Sequence, residues 1–344
     1  MHRFAWMRAP TVSQAATAAS ATVAAAMTLS PDAMERGEIA IVQAGGIDVL
    51  DLLKEGLLAP QIVVGLKGIP GLDAIAVDEA GGLRMGALVT LATLAEHPEV
   101  ARRYPALAEA AGASASPQIR NVATLGGNLL QRPRCWYFRA EAYHCLRKGG
   151  GHCFAFAGDN RYHAVFDNHP CAIVHPSTAA TVLVALDATV ELAGRDGDVR
   201  RLRLEDFFVL PDQDLQREND LRPHEILTAI RLPPVPAGVR MAHVKQAERA
   251  AFDWPLVDVA VRLDLAPDGT CRSAAVILGA VAPAPHRAAA AERTLIGRPI
   301  DDAAARRAGQ AALEGATPLA DNAYKLALVE VLVRRAILAA AARA

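Results

Sequence analysis

Apolar positions along this chain switch between a spacing of two and a spacing of three to four, and those switches predict its elements. An extended start, Arg3-Phe4-Ala5-Trp6, precedes Pro10, Thr11 and Ser13, and the alanine-rich run behind them predicts a helix over about 13–27. Glu-Ile-Ala-Ile-Val at 38–42 predicts a short strand, followed by paired glycines and a helical pattern through Leu50, Leu52 and Leu53. Further strands are expected at 61–64, 75–77 and 83–87. Helices are expected from Thr90 or Thr93 and again through Leu107, Ala110 and Ala111. Beyond a long irregular stretch, 178–186 reads as helix, 189–192 as strand and 194–198 as a hairpin-like loop. Pro233-Pro234-Val235-Pro236 is a rigid linker. After it, strands at 257–265 and 274–279 lead into helices at 288–296, 302–314 and 322–342. These periodicities divide the chain into residues 1–60, 61–235 and 240–344.

With 344 residues the chain exceeds one comfortable core, which agrees with that division. Apolar residues make up 52% and charged residues 21%, a globular balance, and the net charge of −1 announces no face for nucleic acid. No window is apolar for long enough to span a membrane. Ser and Thr interrupt the alanine-rich run, and no twin-arginine motif precedes it, so the expected compartment is the cytoplasm. Periplasmic export is conceivable only as a passenger of a partner that carries the signal.

The irregular stretch holds the chemistry. Arg120-Asn121-Val122-Ala123-Thr124-Leu125-Gly126-Gly127-Asn128 is a glycine-punctuated turn, and Gln43-Ala44-Gly45-Gly46-Ile47-Asp48-Val49 places paired glycines between strand and helix. Such turns let backbone approach a ligand closely and aim N–H groups at phosphate, although tight strand-to-helix turns also use glycine for steric reasons alone. Between 130 and 172 lie four of the five cysteines, Cys135, Cys145, Cys153 and Cys171, spaced Cys-x9-Cys-x7-Cys-x17-Cys. Buried free cysteine is the plain alternative. Four of them in a segment rich in Gly, Arg, His and Asn instead suggest a metal staple, and four thiolates suit Zn²⁺ or a [4Fe–4S] cluster equally. Cys271 stands apart and reads as a buried residue.

Taken together, these residues resemble the FAD-binding medium subunit of the molybdenum hydroxylases, the xanthine dehydrogenase and CO dehydrogenase family. The resemblance runs over nearly the whole chain. The turn at Gln43–Val49 is similar to the family's first flavin motif, and Arg120–Asn128 matches the second. His175-Pro176-Ser177-Thr178 with Ala185-Leu186-Asp187-Ala188, Phe207-Phe208 and Leu221–Leu227 resemble later landmarks, and Lys245, Arg249 and Asp253 open the last domain. Ile47 stands where the family has Thr, and Thr178 where Asp is usual.

The resemblance implies an α+β fold. A PCMH-type FAD-binding domain of two α/β subdomains would be followed by a C-terminal α+β domain of the CO dehydrogenase flavoprotein type. It implies FAD contacts from Gln43, Ala44, Gly45, Gly46, Ile47, Asp48, Val49, Arg120, Asn121, Thr124, Leu125, Gly126, Gly127, Asn128, Leu221 and Lys245. The cysteine insert is similar to that of the aldehyde oxidoreductase branch, which implies a [4Fe–4S] cluster on Cys135, Cys145, Cys153 and Cys171, near the surface of the flavin domain. The implied function is electron transfer from a large molybdopterin-binding catalytic subunit and a small [2Fe–2S] subunit, through FAD, to an external electron acceptor. A free-standing flavin oxidase and a metal-stapled assembly subunit without flavin are the rival readings.

Overall fold

The computed structural model describes residues 1–28 and 39–343. The first subdomain runs β1 (Ala5–Arg8), α1 (Val12–Ala18), α2 (Val23–Ala26), β2 (Ala40–Gln43), α3 (Ile47–Lys54) and β3 (Ile62–Gly65), and so passes the expected boundary at residue 60, because β3 is the central strand of its sheet. Its three strands are parallel in the order β1-β3-β2, with Val63 and Val64 of the central strand fully buried. The expected helix over 13–27 is instead two short helices. Ala19 leaves helical geometry and Thr22 caps α2 by accepting from the Ala25 N–H. The break has a local cause: Ser20 Oγ accepts from the Ala40 N–H of β2 and the Ala21 N–H donates to the Ala40 carbonyl. Hydroxyl side chains here draw the backbone toward the sheet rather than into a helix. Glu38, expected to open β2, lies outside the described residues.

The second subdomain begins with β4 (Ile75–Val77) and β5 (Leu83–Gly86). Helices α4 (Leu91–Glu96), α5 (Pro98–Arg103), α6 (Pro105–Gly112), α7 (Pro117–Arg120) and α8 (Leu125–Leu129) follow. The chain then enters the cysteine insert, whose regular structure is α9 (Trp136–Arg139) and two 3₁₀ turns, Leu146–Lys148 and Phe154–Phe156. It returns through α10 (Thr178–Ala185), β6 (Thr189–Gly194), β7 (Val199–Arg203), α11 (Leu204–Phe207) and β8 (Glu225–Leu232). The sheet is antiparallel in the order β4-β5-β8-β6-β7. Every residue of α10 is buried, because the helix is packed between this subdomain and the C-terminal sheet.

The C-terminal domain joins β9 (Val239–Gln246), β10 (Val257–Leu265), β11 (Cys271–Gly279) and β12 (His286–Arg287) in one antiparallel sheet, order β12-β11-β10-β9. Helices α12 (Ala289–Leu295), α13 (Asp302–Ala311) and α14 (Tyr324–Ala342) cover it. Val329, Leu332, Val333, Ala336, Ile337 and Ala340 of α14 form the buried stripe that their spacing predicts. Cys271 is fully buried in that core, as a small apolar residue should be.

The insert lacks a core of its own size: Tyr137, Ala155 and Ala172 are the buried members of its private cluster. It borrows its neighbours' cores instead. Phe138 and Cys145 pack with Leu52, Leu53 and Val63 of the first subdomain, while Val165 and Phe166 join the C-terminal core. Polar pins secure the second attachment. The Val165 and Phe166 amides donate to the Val281 carbonyl, and Asn322 Nδ2 donates to the carbonyls of His163 and Ala164. Lys325 Nζ donates to the Tyr162 and Ala280 carbonyls. Lys325 is buried and burial lowers its pKa to about 7.

The sign of the consequence follows from proton binding. Above pH 7 the folded chain has released the Lys325 proton while the unfolded chain retains it up to its ordinary value, so stability rises with pH across that window. Relative to Lys325→Met, wild type should gain on the order of 2 kcal/mol between about pH 7 and about pH 9, read from paired denaturant melts. A difference between the two proteins that does not change with pH would show that Lys325 keeps its proton in the fold.

Candidate flavin cleft and cysteine cavity

A cleft of about 400 Å³ opens where the two N-terminal subdomains meet, roofed on one side by residues of the C-terminal domain. Volumes of this order suit a cofactor-sized ligand. The first subdomain contributes the turn between β2 and α3. Gly46 caps α3 in the left-handed region, φ 84°, which glycine adopts without strain. Among the described residues no side chain caps this helix, and Ala44, Gly45, Gly46, Ile47, Asp48 and Val49 all line the cleft. The first amides of α3 are thereby left to an acceptor in the cleft.

Gly45 meets a different constraint. A Cβ there would stand 2.1 Å from the Val122 carbonyl oxygen. The two glycine turns therefore touch backbone to backbone, and glycine at 45 sets the approach of the subdomains.

The second turn arranges its residues by helical periodicity. Thr124 caps α8, its Oγ1 accepting from the Gly127 N–H at 3.1 Å. The Leu125 and Gly126 amides donate to the Val89 and Ala87 carbonyls, so both are spent on the fold. A Cβ on Gly126 would come within 2.8 Å of the Ala87 Cβ. Thr124, Gly126, Gly127 and Asn128 line the cleft, and the Ser177 hydroxyl donates to Asn128 Oδ1. Thr178, buried on the cleft wall, shares a 2.8 Å hydrogen bond with the Ser114 hydroxyl.

Leu221 and Lys245 also line the cleft. Lys245 Nζ donates to the Ala113 and Asp253 carbonyls, and burial lowers its pKa.

Four residues expected here lie elsewhere. Leu125 is fully buried in the core of the second subdomain, because the helical period turns it away from Thr124 and Asn128. Arg120 Nη1 donates to the Ser114 and Ala115 carbonyls and so clamps the preceding loop. Asn121 is exposed outside the cleft lining. Gln43 lies beneath Gly46, its Nε2 2.8 Å from where a Cβ would stand, and its Oε1 is buried without a partner among the described residues.

Several lining residues belong to no motif: Arg132, Arg134, Glu218 and Trp254. Asp48 gathers the first two. Its Oδ2 accepts from the Arg132 N–H at 2.8 Å, and its Oδ1 lies 2.8 Å from Arg134 Nη2 and 2.6 Å from Arg139 Nη2. The Arg134 guanidinium stands over the Trp254 ring at 5.1 Å. Sequence offered one signal for this group, the basic run Arg132-Pro133-Arg134 directly after the Gly-Gly-Asn turn.

The insert brings all four cysteines to one small cavity, walled by Tyr137, Phe138, Leu146, Arg147, Phe154, His163 and Ile173. Cys145 and Cys171 are buried, while Cys135 and Cys153 are half-buried. His163 Nε2 lies 3.2 Å from Cys135 Sγ, and burial lowers the His163 pKa to about 4, so the ring is neutral. Burial pushes the Cys135 thiol up to about 12. The neighbouring Cys171 holds the Cys153 thiol down at about 7, Cys153 and burial raise Cys171 in turn, and Arg147 lines the same cavity.

Among the described residues, no three His, Cys, Asp or Glu side chains are close enough to hold a single metal ion. The four thiols share one cavity, and the [4Fe–4S] cluster expected on them is not shown by these side-chain positions. The expected position near the surface of the flavin domain becomes a junction, between the first subdomain and the insert.

Comparison with known proteins finds matches along most of the chain. Residues 2–235 match the model of the FAD binding domain in molybdopterin dehydrogenase, and residues 242–340 match the CO dehydrogenase flavoprotein C-terminal domain. The chain is 39% identical over 289 residues to the aldehyde oxidoreductase FAD-binding subunit PaoB of Escherichia coli strain K12, covering 83% of this chain and 87% of that one. It is 27% identical over 311 residues to the carbon monoxide dehydrogenase medium chain of Hydrogenophaga pseudoflava, covering 89% and 91%. Reconstituted CO dehydrogenase from Oligotropha carboxidovorans shares the fold, with a TM-score of 0.75 at 24% identity over 99% of both chains.

The Gly45 contact makes its own prediction. Gly45→Ala should cost about 1–3 kcal/mol through overpacking and lower the melting temperature by several degrees. Gly151→Ala, with nothing within 4 Å of its added Cβ, should leave melting unchanged. Equal melting temperatures for the two variants would mean that the turns are not locked together.

Proposed function

The chain belongs to the family of FAD-binding medium subunits of the molybdenum hydroxylases, and on that premise we propose that it is the electron-transfer subunit of an aldehyde-oxidising complex. Its partners would be a large molybdopterin-binding catalytic subunit and a small [2Fe–2S] subunit, and its own output would go to an external electron acceptor. The aldehyde branch is favoured by 39% identity to an aldehyde oxidoreductase subunit, against 27% to a CO dehydrogenase medium chain. No helix among the described residues is long and apolar enough to cross a membrane. Five free thiols suit folding in the cytoplasm, with export only beside a partner that carries the signal.

The observation that carries the reading is the cleft with its uncapped helix start. FAD bound there would supply storage for two electrons between partners that pass them one at a time. The chain's residues would do the rest. Amides of the Gly45–Val49 turn would donate to the pyrophosphate, where charge-assisted hydrogen bonds are the strong ones. The Thr124 hydroxyl, Gly127 backbone and Asn128 side chain would line the opposite wall, with Asn128 held in place by Ser177. Gly126 would bring that wall's backbone close to the ligand, while Leu221 and Lys245 would flank the remaining surface. Ile47 contributes no hydroxyl, so that part of the site binds through backbone alone.

For the insert we propose a [4Fe–4S] cluster on Cys135, Cys145, Cys153 and Cys171. Support comes from the shared cavity, its aromatic walls, and two groups beside the sulfurs: neutral His163, 3.2 Å from Cys135 Sγ, and Arg147, which lines the same cavity. Such outer contacts orient ligands and adjust their electron density.

The deciding experiment is metal and flavin analysis of the purified complex. The expected result is FAD in this subunit, iron in excess of what the [2Fe–2S] subunit accounts for, and a Cys145→Ser variant that loses that excess iron but keeps the flavin. Zinc with no iron beyond that of the [2Fe–2S] subunit would overturn the cluster, and a yellow colour absent from a folded complex would overturn the flavin assignment. A separate measurement tests the cleft: Ile47→Thr adds a hydroxyl and should tighten FAD binding by about twofold to tenfold, the equivalent of one hydrogen bond. Weaker binding would place residue 47 away from the phosphates.

A further inference from the structure

Between the flavin cleft and the cysteine cavity lies a wall of buried charge. Arg132 and Glu218 line the cleft, and Arg147 lines the cavity. The three are joined. Arg147 Nη1 donates to Glu218 Oε1 at 2.7 Å, and Arg132 Nε stands 3.2 Å from Glu218 Oε2 without hydrogen-bond alignment. All three side chains are at least 95% buried: their relative exposures are 2% for Arg132, 1% for Arg147 and 5% for Glu218. Arg132 is tied further by its backbone N–H to Asp48 and by Nη1 to the Gln216 carbonyl.

The charges do not balance. Two guanidiniums share one carboxylate, and the neighbouring set of Arg134 and Arg139 with Asp48 and Asp51 is neutral by itself. One positive charge is therefore in surplus inside the wall. The Nε and Nη2 atoms of both Arg132 and Arg147 are also buried with no hydrogen-bond partner among the described residues. An uncompensated buried charge is strongly destabilising, so a fold that keeps one implies negative charge close by. The two groups read into the flanking sites both supply it: a diphosphate on the Arg132 side, and on the Arg147 side four thiolates whose summed charge exceeds the net charge of the [4Fe–4S] core they would hold.

We propose that the Arg132–Glu218–Arg147 triad is a shared electrostatic partition between the flavin and the insert cluster, and that its surplus positive charge raises the reduction potential of the cluster. This rests on the cluster reading above. The physical reason is direct. Reduction adds a negative charge to the cluster, and a guanidinium that lines the same buried cavity as the four cysteines favours that added charge in a poorly screened interior. Glu218 acts the other way on both neighbours at once, because one carboxylate touches the cation on each side. Arg132 and Arg147 are thus positioning and tuning residues, with Glu218 as their common anchor.

The test is a redox titration of the intact purified complex, following the insert cluster by electron paramagnetic resonance and the flavin by its absorbance. Arg147→Gln should shift the cluster's reduction equilibrium toward the oxidised form by about tenfold, equivalent to about 59 mV for a one-electron couple. Glu218→Gln should shift it in the opposite direction and raise the flavin potential too. Arg147→Lys, which keeps the charge, should stay within a fewfold of wild type. A residue that merely holds the fold together would move both neutralising variants the same way, and that outcome overturns the proposal, as would no shift in either. If Arg147→Gln fails to fold, the Glu218→Gln and Arg147→Lys pair decides alone: no upward shift in the first, or a tenfold shift in the second, defeats the idea. A complex with intact flavin and no iron beyond that of the [2Fe–2S] subunit defeats the cluster reading instead, and is told apart by the metal analysis alone.

Discussion

The carboxylate of Asp48 stands at the centre of the molecule's chemistry. It sits in the first turn of α3, whose start lines the cleft, and it accepts from the Arg132 amide while its other oxygen meets Arg134 and Arg139. An acidic side chain at that position already suits the positive end of a helix. Here it also fixes where the chain goes after the second glycine turn. The insert leaves that turn at Leu129 and immediately folds back over Asp48, which brings Phe138 and Cys145 onto the first subdomain. Flavin turn and cysteine insert are thus one structural unit. Each depends on a contact that spans about eighty residues of chain.

A similar economy governs the glycines. The paired glycines of the first turn do two jobs that a motif match treats as one. Gly46 adopts a backbone angle that other residues avoid, and Gly45 admits the Val122 carbonyl. Only the first bears directly on exposing amides to a ligand. The second sets the width of the cleft, since the subdomains could not close further with any side chain at 45.

Much of this could be read in the sequence, and the parts that could not share a cause. Strands β3, β10 and β11 are β-branched or continuous apolar runs, and α14 shows its buried stripe by spacing. The two glycine turns and the four cysteines announce chemistry by composition. What stayed hidden depends on which way a residue faces. Thr124 and Leu125 are neighbours in one motif, yet α8 sends the first to the cleft and the second to the core. Strand β9 escaped detection because His243 and Lys245 break its alternation, each held by a partner that sequence cannot supply: Asp258 for one, the Ala113 and Asp253 carbonyls for the other. Arg147 and Glu218, 71 residues apart, belong to no pattern at all.

The way the insert is mounted limits what it can do. A loop whose private core is three buried residues cannot hold four sulfurs in place by itself. The order comes from outside: Phe138 and Cys145 in the first subdomain, Val165 and Phe166 in the C-terminal core, and the carbonyl contacts of Asn322 and Lys325. Such a mount fixes the cysteine cavity relative to the cleft, because both are built on the same three bodies. Site residues hold their geometry best when rigid elements carry them. This insert is fastened to two separate domains, and a buried ion triad stands between its cavity and the cleft, so the cysteines and the cleft are positioned by one shared frame.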